Sequence, residues 1–314
     1  MQNISDTVTL SSVDAVLEQA WAMQASIKAH GYCIVKGLPN TAESVLRLGQ
    51  HMGNIQGHVR ADANGVVGGG PPVDTSWKSQ RKEFEDVGSE DEFFAHTDGS
   101  YLNGLYVDES GMANPIVPPR LLLLQIAQQA GKGGENFIVD GKKILQYLLE
   151  HEPQTAKMLF HPHCITISRD DVIAARVPVF EKANDGRIKI RFRFDNKVYA
   201  PEWSLPAVRR FHELANDPRF KKELKAETDD IIVIDNLAAL HGRNAFENGE
   251  SYERKFRRVY INDDDVQAVF NVAADAHCNR SQAPYAAYIS RPSPVPPEQR
   301  LPIDCGIKGV ALSL

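Results

Sequence analysis

The segment Phe93-Phe-Ala-His96-Thr-Asp98-Gly-Ser100 sets an imidazole and a carboxylate two residues apart. In extended chain, residues i and i+2 lie on one side, so His96 and Asp98 can offer two adjacent ligands to a metal. Alone the pattern is weak. With 10 histidines and 41 acidic residues in the chain, about one His-x-(Asp/Glu) pair is expected by chance. A third donor stands in Asp235-Asn-Leu-Ala-Ala-Leu-His241-Gly-Arg243, just after the apolar run Ile231-Ile-Val-Ile234. Two histidines and one carboxylate on one face of an octahedral ion leave three positions open, as in non-haem Fe(II) sites. The same donors suit Zn²⁺ with a water as fourth ligand. The ligand set by itself leaves redox and hydrolytic chemistry open.

A basic cluster narrows the choice. Glu253-Arg254-Lys-Phe-Arg257-Arg258-Val-Tyr-Ile261 lies in a stretch, 243–258, with five basic residues in sixteen, in a chain of net charge −6. Arg254 and Arg258 are four apart and share a face if the segment is a strand. The guanidinium fork binds carboxylates in bidentate fashion. An arginine beside a three-ligand metal site suits a dicarboxylate, one end on the metal and the other on arginine. A zinc hydrolase has no such need. The bland alternative is a solvated strand face.

The elements that must position these residues follow from periodicity. Ser11 or Ser12 caps a predicted helix with Val13, Val16, Leu17, Ala20 and Trp21 at helical spacing, ended by Gly31. Tyr32-Cys-Ile-Val35 reads as a short buried strand, and a second helix runs from about Thr41 to Met52. From Gly53 to about Asp91 the composition turns to Gly, Pro and charge, including Gly68-Gly-Gly-Pro-Pro72. A stretch that long without periodicity suggests a functional lid. Leu121-Leu-Leu-Leu-Gln-Ile126 and Ile231–Ile234 read as strands. Residues 187–195 alternate strictly, with Ile188, Ile190, Phe192 and Phe194 on one face and Arg187, Lys189, Arg191 and Arg193 on the other. They predict a half-buried strand whose Arg191, Arg193 and Asp195 face solvent, with contact to a polar substrate as the alternative. Helices are predicted at about 141–150 and 205–216, and a proline-rich tail is expected to wrap the surface. Two strand clusters with helices outside suggest an antiparallel barrel or sandwich. No GxGxxG follows a strand, which argues against a dinucleotide fold.

Composition bounds the rest. The 314 residues are 42% hydrophobic and 24% charged, close to the globular average, with pI ≈ 5.9. An acidic chain is a poor general nucleic-acid binder, and no run approaches the roughly 20 apolar residues of a membrane helix. The start, MQNISDTVTL, has no secretory pattern. Cys33, Cys164, Cys278 and Cys305 form no CxxC, and Cys33 and Cys164 read as small core residues. The expectation is a cytoplasmic protein acting on a small molecule, without nucleic-acid or membrane partners; assembly into a homo-oligomer is left open. His161-Pro-His163 is the one rival histidine pair, and no carboxylate accompanies it.

Taken together, His96-Thr-Asp98, His241-Gly-Arg-x-x-Phe and Arg254-x-x-x-Arg258 resemble the taurine dioxygenase / clavaminate-synthase-like superfamily of Fe(II)- and 2-oxoglutarate-dependent oxygenases. Gly133-Gly-Glu-Asn136 ahead of Phe137-Ile-Val-Asp140 is similar to that family's GGD(T/S)…D segment. The resemblance spans about 30–261. It implies a mainly β fold with flanking helices, a double-stranded β-helix (jelly-roll) core and one oxygenase domain over 1–314. It implies that His96, Asp98 and His241 ligate iron and that Arg254 holds the far carboxylate of 2-oxoglutarate. Asn136 stands where many relatives place Thr or Ser against that co-substrate. Arg258 matches a second arginine that assists 2-oxoglutarate or holds an anionic substrate. The interval from His241 to Arg254 is a residue shorter than in the clavaminate-synthase branch, which makes Arg257 the alternative to Arg258. The activity implied is hydroxylation of an unactivated C–H of a small polar metabolite (an amino acid, a quaternary amine or a biosynthetic intermediate), consuming O₂ and releasing succinate and CO₂. Halogenating relatives lack the carboxylate ligand, so the retained Asp98 favours hydroxylation. Desaturation, epoxidation and ring formation use the same ligands. A zinc hydrolase and a non-catalytic metal-binding sensor are the readings from other classes.

Overall fold

A computed structural model describes residues 4–70, 90–169, 172–249, 253–262 and 283–312. Two sheets dominate it. The larger has seven strands: β1 (Thr7–Thr9), β2 (Tyr32–Lys36), β3 (Asn54–Gln56), β5 (Leu121–Gln128), β8 (Ile231–Asp235), β10 (Lys255–Asn262) and β11 (Ser290–Arg291), in the order β1-β2-β8-β5-β10-β3-β11. The smaller has four: β4 (Phe93–His96), β6 (Asn136–Asp140), β7 (Lys221–Glu223) and β9 (Ala239–Arg243), in the order β7-β6-β9-β4. Neighbours are antiparallel except β1 beside β2.

The period of two along each strand builds the layers. Tyr32, Ile34, Leu122, Leu124, Ile232, Ile234 and Tyr260 of the larger sheet pack with Ile138 and Ala239 of the smaller, so these faces oppose one another. The intervening residues, Cys33, Val35, Leu121, Leu123, Ile231, Val233, Val259 and Ile261, point the other way. There they meet Met23 and Ile27 of α1 (Ala20–His30) and Val45 and Leu48 of α2 (Ala42–Gln50). Behind the smaller sheet, Ala95, Phe137, Val139 and Leu240 pack against α3 (Gly141–His151), α4 (Pro153–Leu159) and α5 (Leu205–Ala215). Each fully buried Leu, Ile or Phe contributes about 1.5–3 kcal/mol relative to exposure. The order is helix, sheet, sheet, helix, and the chemistry sits between the sheets.

Local signals explain the boundaries. Thr41 Oγ1 accepts the Ser44 N–H and starts α2, and Gly31 at φ 80° ends α1. Asp140 closes β6 and caps α3 at once, its Oδ1 accepting the Lys143 N–H at 3.0 Å.

Three expectations are corrected. The predicted first helix is a 3₁₀ segment, Val13–Gln19, continued by α1. Three residues per turn rotate Leu17 and Trp21 off the buried face, and Trp21 is 74% exposed. The alternating run 187–195 forms ladder only at Ile188–Ile190, against Phe180–Lys182. Its arginines are interior, with Arg191 8% and Arg193 4% exposed. The tail does not simply wrap the surface: β11 joins the larger sheet, and Leu301, Ile303 and Cys305 are buried in the α1/α2 layer. The expected lid loop begins with β3 and carries His58 and Arg60 into the interior side, while Trp77, Lys78, Pro71 and Pro72 lie outside the described residues, as does Cys278. Cys33 and Cys164 are buried and free, as expected.

Candidate active site

Strand register brings the histidines together. His241 on β9 stands directly opposite His96 on β4, and cross-strand neighbours share a face. Their rings lie 4.4 Å apart between centroids. Asp98 lies two residues past the end of β4, in a turn that Gly99 makes at φ +67°, where an added Cβ would sit 2.6 Å from Pro119 Cδ. Ligand atoms of His96, Asp98 and His241 all lie within 4.8 Å of one another, and all three residues are buried. His96 Nε2 is 3.3 Å from Asp98 Oδ1, and His241 Nε2 is 3.7 Å from Asp98 Oδ2.

The donor set fits a metal. His96 Nδ1 lies 2.8 Å from the Phe94 carbonyl, which assigns the proton to Nδ1 and leaves the Nε2 lone pair facing Asp98. His96 Nε2 and both ring nitrogens of His241 are buried without a hydrogen-bond partner, a cost that a bound cation removes. Burial, then the His241 ring, pushes the His96 imidazole down to about 4, which keeps it neutral. Burial works to raise the Asp98 carboxyl. The Arg258 guanidinium and the two imidazoles overcome it and hold the group well below the ordinary carboxylate range. An anionic oxygen donor at Asp98 and a neutral nitrogen donor at His96 result.

The arginines divide by face. Arg254, Phe256, Arg258 and Tyr260 lie at alternate positions along and just before β10. Phe256 and Tyr260 pack in the core between the sheets. Arg254 Nη2 donates to Asn136 Oδ1 at 3.3 Å, and its buried Nε has no partner. Burial, with Arg243 and Arg258 nearby, lowers the Arg254 guanidinium to about 10. Gly134, at φ +80°, makes room for it, since an added Cβ there would lie 3.3 Å from Arg254 Cδ. Arg258 Nη1 donates to Asp98 Oδ2 at 2.8 Å and to the Tyr260 hydroxyl at 3.0 Å. Arg257 points to the opposite face, bonded to Asn40 Oδ1 at 2.6 Å and Gln125 Oε1 at 3.0 Å. It is thereby removed as the alternative to Arg258.

Two positioning residues escape the motif reading. Asn236 is fully buried; its Oδ1 accepts the Asp98 N–H at 2.8 Å, while its Nδ2 donates to the carbonyls of Asp98 and Pro119. It pins the Asp98 backbone to the segment that carries His241. Arg191 Nη1 donates to the carbonyls of Ser100 and Leu102, tethering the turn beyond Asp98. Arg193 is paired with Asp195, Nε to Oδ2 at 2.8 Å, beside a cleft of about 270 Å³ that reaches His96. His161 and His163 are exposed, with no carboxylate between them.

The model of the family described as taurine catabolism dioxygenase TauD, TfdA family matches residues 2–260. The chain belongs to this family. γ-Butyrobetaine dioxygenase of Homo sapiens is 27% identical over 165 residues, covering 48% of this chain and 42% of the relative. The same enzyme of Pseudomonas sp. (strain AK-1) is 27% identical over 158 residues, 47% of this chain and 41% of its own. The chain thus spans about two fifths of the length of these curated relatives. Asparagine oxygenase, solved with Fe(II), 2S,3S-3-hydroxyasparagine and succinate, superposes at a TM-score of 0.58 with 15% identity over 82% of this chain and 93% of that one. Non-heme iron oxygenase OrfP, solved with Fe, succinate and (3S)-hydroxy-L-Arg, gives 0.53 with 15% identity over 82% and 94%. Both likenesses show that this TauD/TfdA chain shares their fold.

Proposed function

We propose that this chain is an Fe(II)- and 2-oxoglutarate-dependent oxygenase that hydroxylates an unactivated C–H of a small polar metabolite. In this reading the two opposed sheets are the core of a double-stranded β-helix in a single oxygenase domain over 1–314, a reading supported by their antiparallel pairing and by the inner faces that pack together. The observation that carries the reading is that the two inner faces bring together a buried two-histidine, one-carboxylate set, its histidines on the smaller sheet, and Arg254, beside β10 of the larger, with an unmatched Nε. His96 Nε2, Asp98 and His241 would hold Fe(II). Arg254, with Asn136 beside it, would take the far carboxylate of 2-oxoglutarate as a charge-assisted pair. When bound, Fe(II) and 2-oxoglutarate supply the oxidising chemistry, coupling use of O₂ and release of succinate and CO₂ to C–H hydroxylation.

The chain's own residues orient and exclude water. Arg258 occupies Asp98 Oδ2, which turns Oδ1 toward the metal position and keeps the carboxylate ionised. The Phe94 carbonyl fixes the His96 tautomer, and Asn236 fixes the Asp98 backbone. Phe256 and Phe246 flank Arg254, their ring centroids 5.6 and 5.8 Å from its guanidinium carbon, and shield its charge from water. Among the described residues Cys33, Cys164 and Cys305 are buried and outside any disulfide, which suits a reducing cytoplasm.

The test is an anaerobic titration with Fe(II) and then 2-oxoglutarate, followed by visible absorption. A charge-transfer band requiring both additions is expected, with substrates then screened by succinate release. Loss of the band in His96→Ala, and a weakened 2-oxoglutarate dependence in Arg254→Ala, would assign the roles. Well-folded protein that holds stoichiometric zinc and gives no band would replace the oxygenase by a hydrolase.

A further inference from the structure

The cleft beside His96 carries chemistry that the metal ligands do not explain. Its walls are β4 with the residues just before it and the segment 193–196, and its volume is about 270 Å³. That is close to the lower bound, about 300 Å³, of pockets that take small molecules. The walls are joined beside His96 and Arg193. There the Thr97 N–H donates to the Phe192 carbonyl at 2.8 Å and the Phe192 N–H to Thr97 Oγ1 at 3.1 Å. Phe93, Phe94 and Phe194 line the cleft with aromatic surface, and the Phe93 ring centroid lies 4.1 Å from that of His96. Phe194 stacks on His212 at 4.2 Å while Phe94 meets the same imidazole edge-on at 5.6 Å, which holds both rings in place.

Arg193 is the polar group built into this surface, and it is 4% exposed. Its Nε and Nη2 both donate to Asp195 Oδ2, while Nη1 donates to none of the described residues. Asp195 is held in turn, its Oδ1 accepting the Lys197 N–H at 2.9 Å. Burial works to raise the Asp195 carboxyl. The Arg193 guanidinium overcomes it and holds the group below the ordinary carboxylate range, so the pair is ionised. Arg193 therefore lines the cleft with its charge already met and one nitrogen still short of an acceptor.

Charge decides which acceptor suits it. Among the residues lining the cleft, Arg193 stands against Asp91, Glu92 and Asp195. A substrate carboxylate would meet more like charge than opposite charge. An ammonium group offers only donors, which Nη1 cannot use. The carboxylates that could draw one are engaged, Asp195 by Arg193 and Glu92 by Lys221 at 3.3 Å, and the Asp91 charge acts on Arg243. An uncharged carbonyl oxygen satisfies Nη1 without either conflict.

We propose that this cleft is the substrate site and that Arg193 Nη1, steadied by Asp195, donates to an uncharged carbonyl oxygen of the substrate, whose carbon skeleton lies against Phe93, Phe94 and Phe194 beside His96. The proposal rests on the oxygenase reading and names its substrate class: a carboxamide or comparable neutral carbonyl compound, and not a free carboxylate or a bare amine.

The test uses protein loaded with Mn(II), which prevents turnover, and saturated with 2-oxoglutarate. Primary amides of straight-chain and phenyl-substituted acids are titrated calorimetrically beside the acid and the amine of the same carbon skeleton. Each amide is expected to bind at least about tenfold tighter than its acid and its amine. Arg193→Met should weaken amide binding about tenfold, and Arg193→Lys should recover part of the loss. Asp195→Asn leaves the guanidinium uncompensated and should reverse the order, the acid then binding tighter than the amide. A pair with a merely structural role predicts no such reversal. Amides that bind no tighter than acids or amines, no amide binding at millimolar concentration, amide affinity unchanged in Arg193→Met, or an unreversed order in Asp195→Asn would each overturn the proposal. The Fe(II)/2-oxoglutarate absorption band, recorded on the same variants, reports folding and chelation. If Arg193→Met loses the band, the double variant Arg193→Met/Asp195→Asn, which leaves neither charge alone, replaces it. Absence of the band in the unsubstituted protein sinks the oxygenase reading, whereas a normal band with the wrong ligand order sinks only this one.

Discussion

Asp98 shows how one side chain can serve two partners, Oδ2 paired with Arg258 and Oδ1 turned toward His96. Arg254 has one proposed task, and its loss should be selective. Arg254→Ala is expected to raise the 2-oxoglutarate concentration needed for half-saturation by roughly 10–100-fold, the worth of about 1.5–3 kcal/mol in charge-assisted hydrogen bonds. Fe(II) binding should change little, as read from the band with 2-oxoglutarate in excess. Asn236 acts through Asp98. Asn236→Ala leaves the Asp98 N–H and the Asp98 and Pro119 carbonyls short of a partner. A loss of about 2–3 kcal/mol in stability is expected by urea unfolding, together with Fe(II) affinity lowered about 10–100-fold. The proposed ligand residues were legible because a histidine, a carboxylate and a second histidine are rare donor types with a known joint use. Asn236 was not, because an asparagine after a buried strand looks like any turn residue; its burial at the end of an apolar run was the available signal. Arg191 and Arg193 misled for a physical reason. Alternation reports only that two faces differ, and a charged face can be covered when carbonyls or a carboxylate meet it, as Ser100, Leu102 and Asp195 do here.

Strands β2, β5 and β8 were legible from their apolar runs, since both faces of each are buried, one between the sheets and one under helices. The break between α3 and α4 was foreshadowed by Pro153, but α4 itself is seven residues long, too short to show a period. Register is the property that sequence left hidden, and it decides whether His96 meets His241. Gly242 protects it: a Cβ there would press on the Phe137 ring and the Phe93 carbonyl. Gly242→Ala should cost about 1–3 kcal/mol and displace His241, read as lower Tm and a weaker metal-dependent band. The turn from β8 to β9 carries a pH signature. The Asp235 carboxyl accepts the N–H groups of Leu237 and Gly306, and burial raises it to about 7 from an ordinary 3.8. In that interval the folded chain keeps a proton the unfolded chain has released, so this group's contribution falls as pH rises from about 4 to 7 and is flat above. Urea unfolding at pH 4.5 and 7.5 should show that decline in the parent and a smaller one in Asp235→Asn.

At the scale of the molecule, the two β4/β9 histidines and Asp98 bridge segments far apart in sequence, so ligand binding should tie folding to the metal. Mn(II) with 2-oxoglutarate, each at about a hundred times its dissociation constant, should add roughly 2.7 kcal/mol per ligand. A chelator should reverse the accompanying rise of several degrees in Tm. The last described residues enlarge the cooperative unit in another way. β11 extends the larger sheet beside β3, Leu301, Ile303 and Cys305 fill the layer under α1 and α2, and the Gly306 N–H reaches Asp235 at the root of the His241 strand. Yet the span matched by the family ends at residue 260. The stretch relatives have in common and the stretch needed to fold are therefore different lengths of chain. A chimera made by exchanging residues 2–260 with a relative would inherit every ligand and still meet a foreign tail at its core. Its success would depend on carrying residues 283–312 along with the part that performs the chemistry.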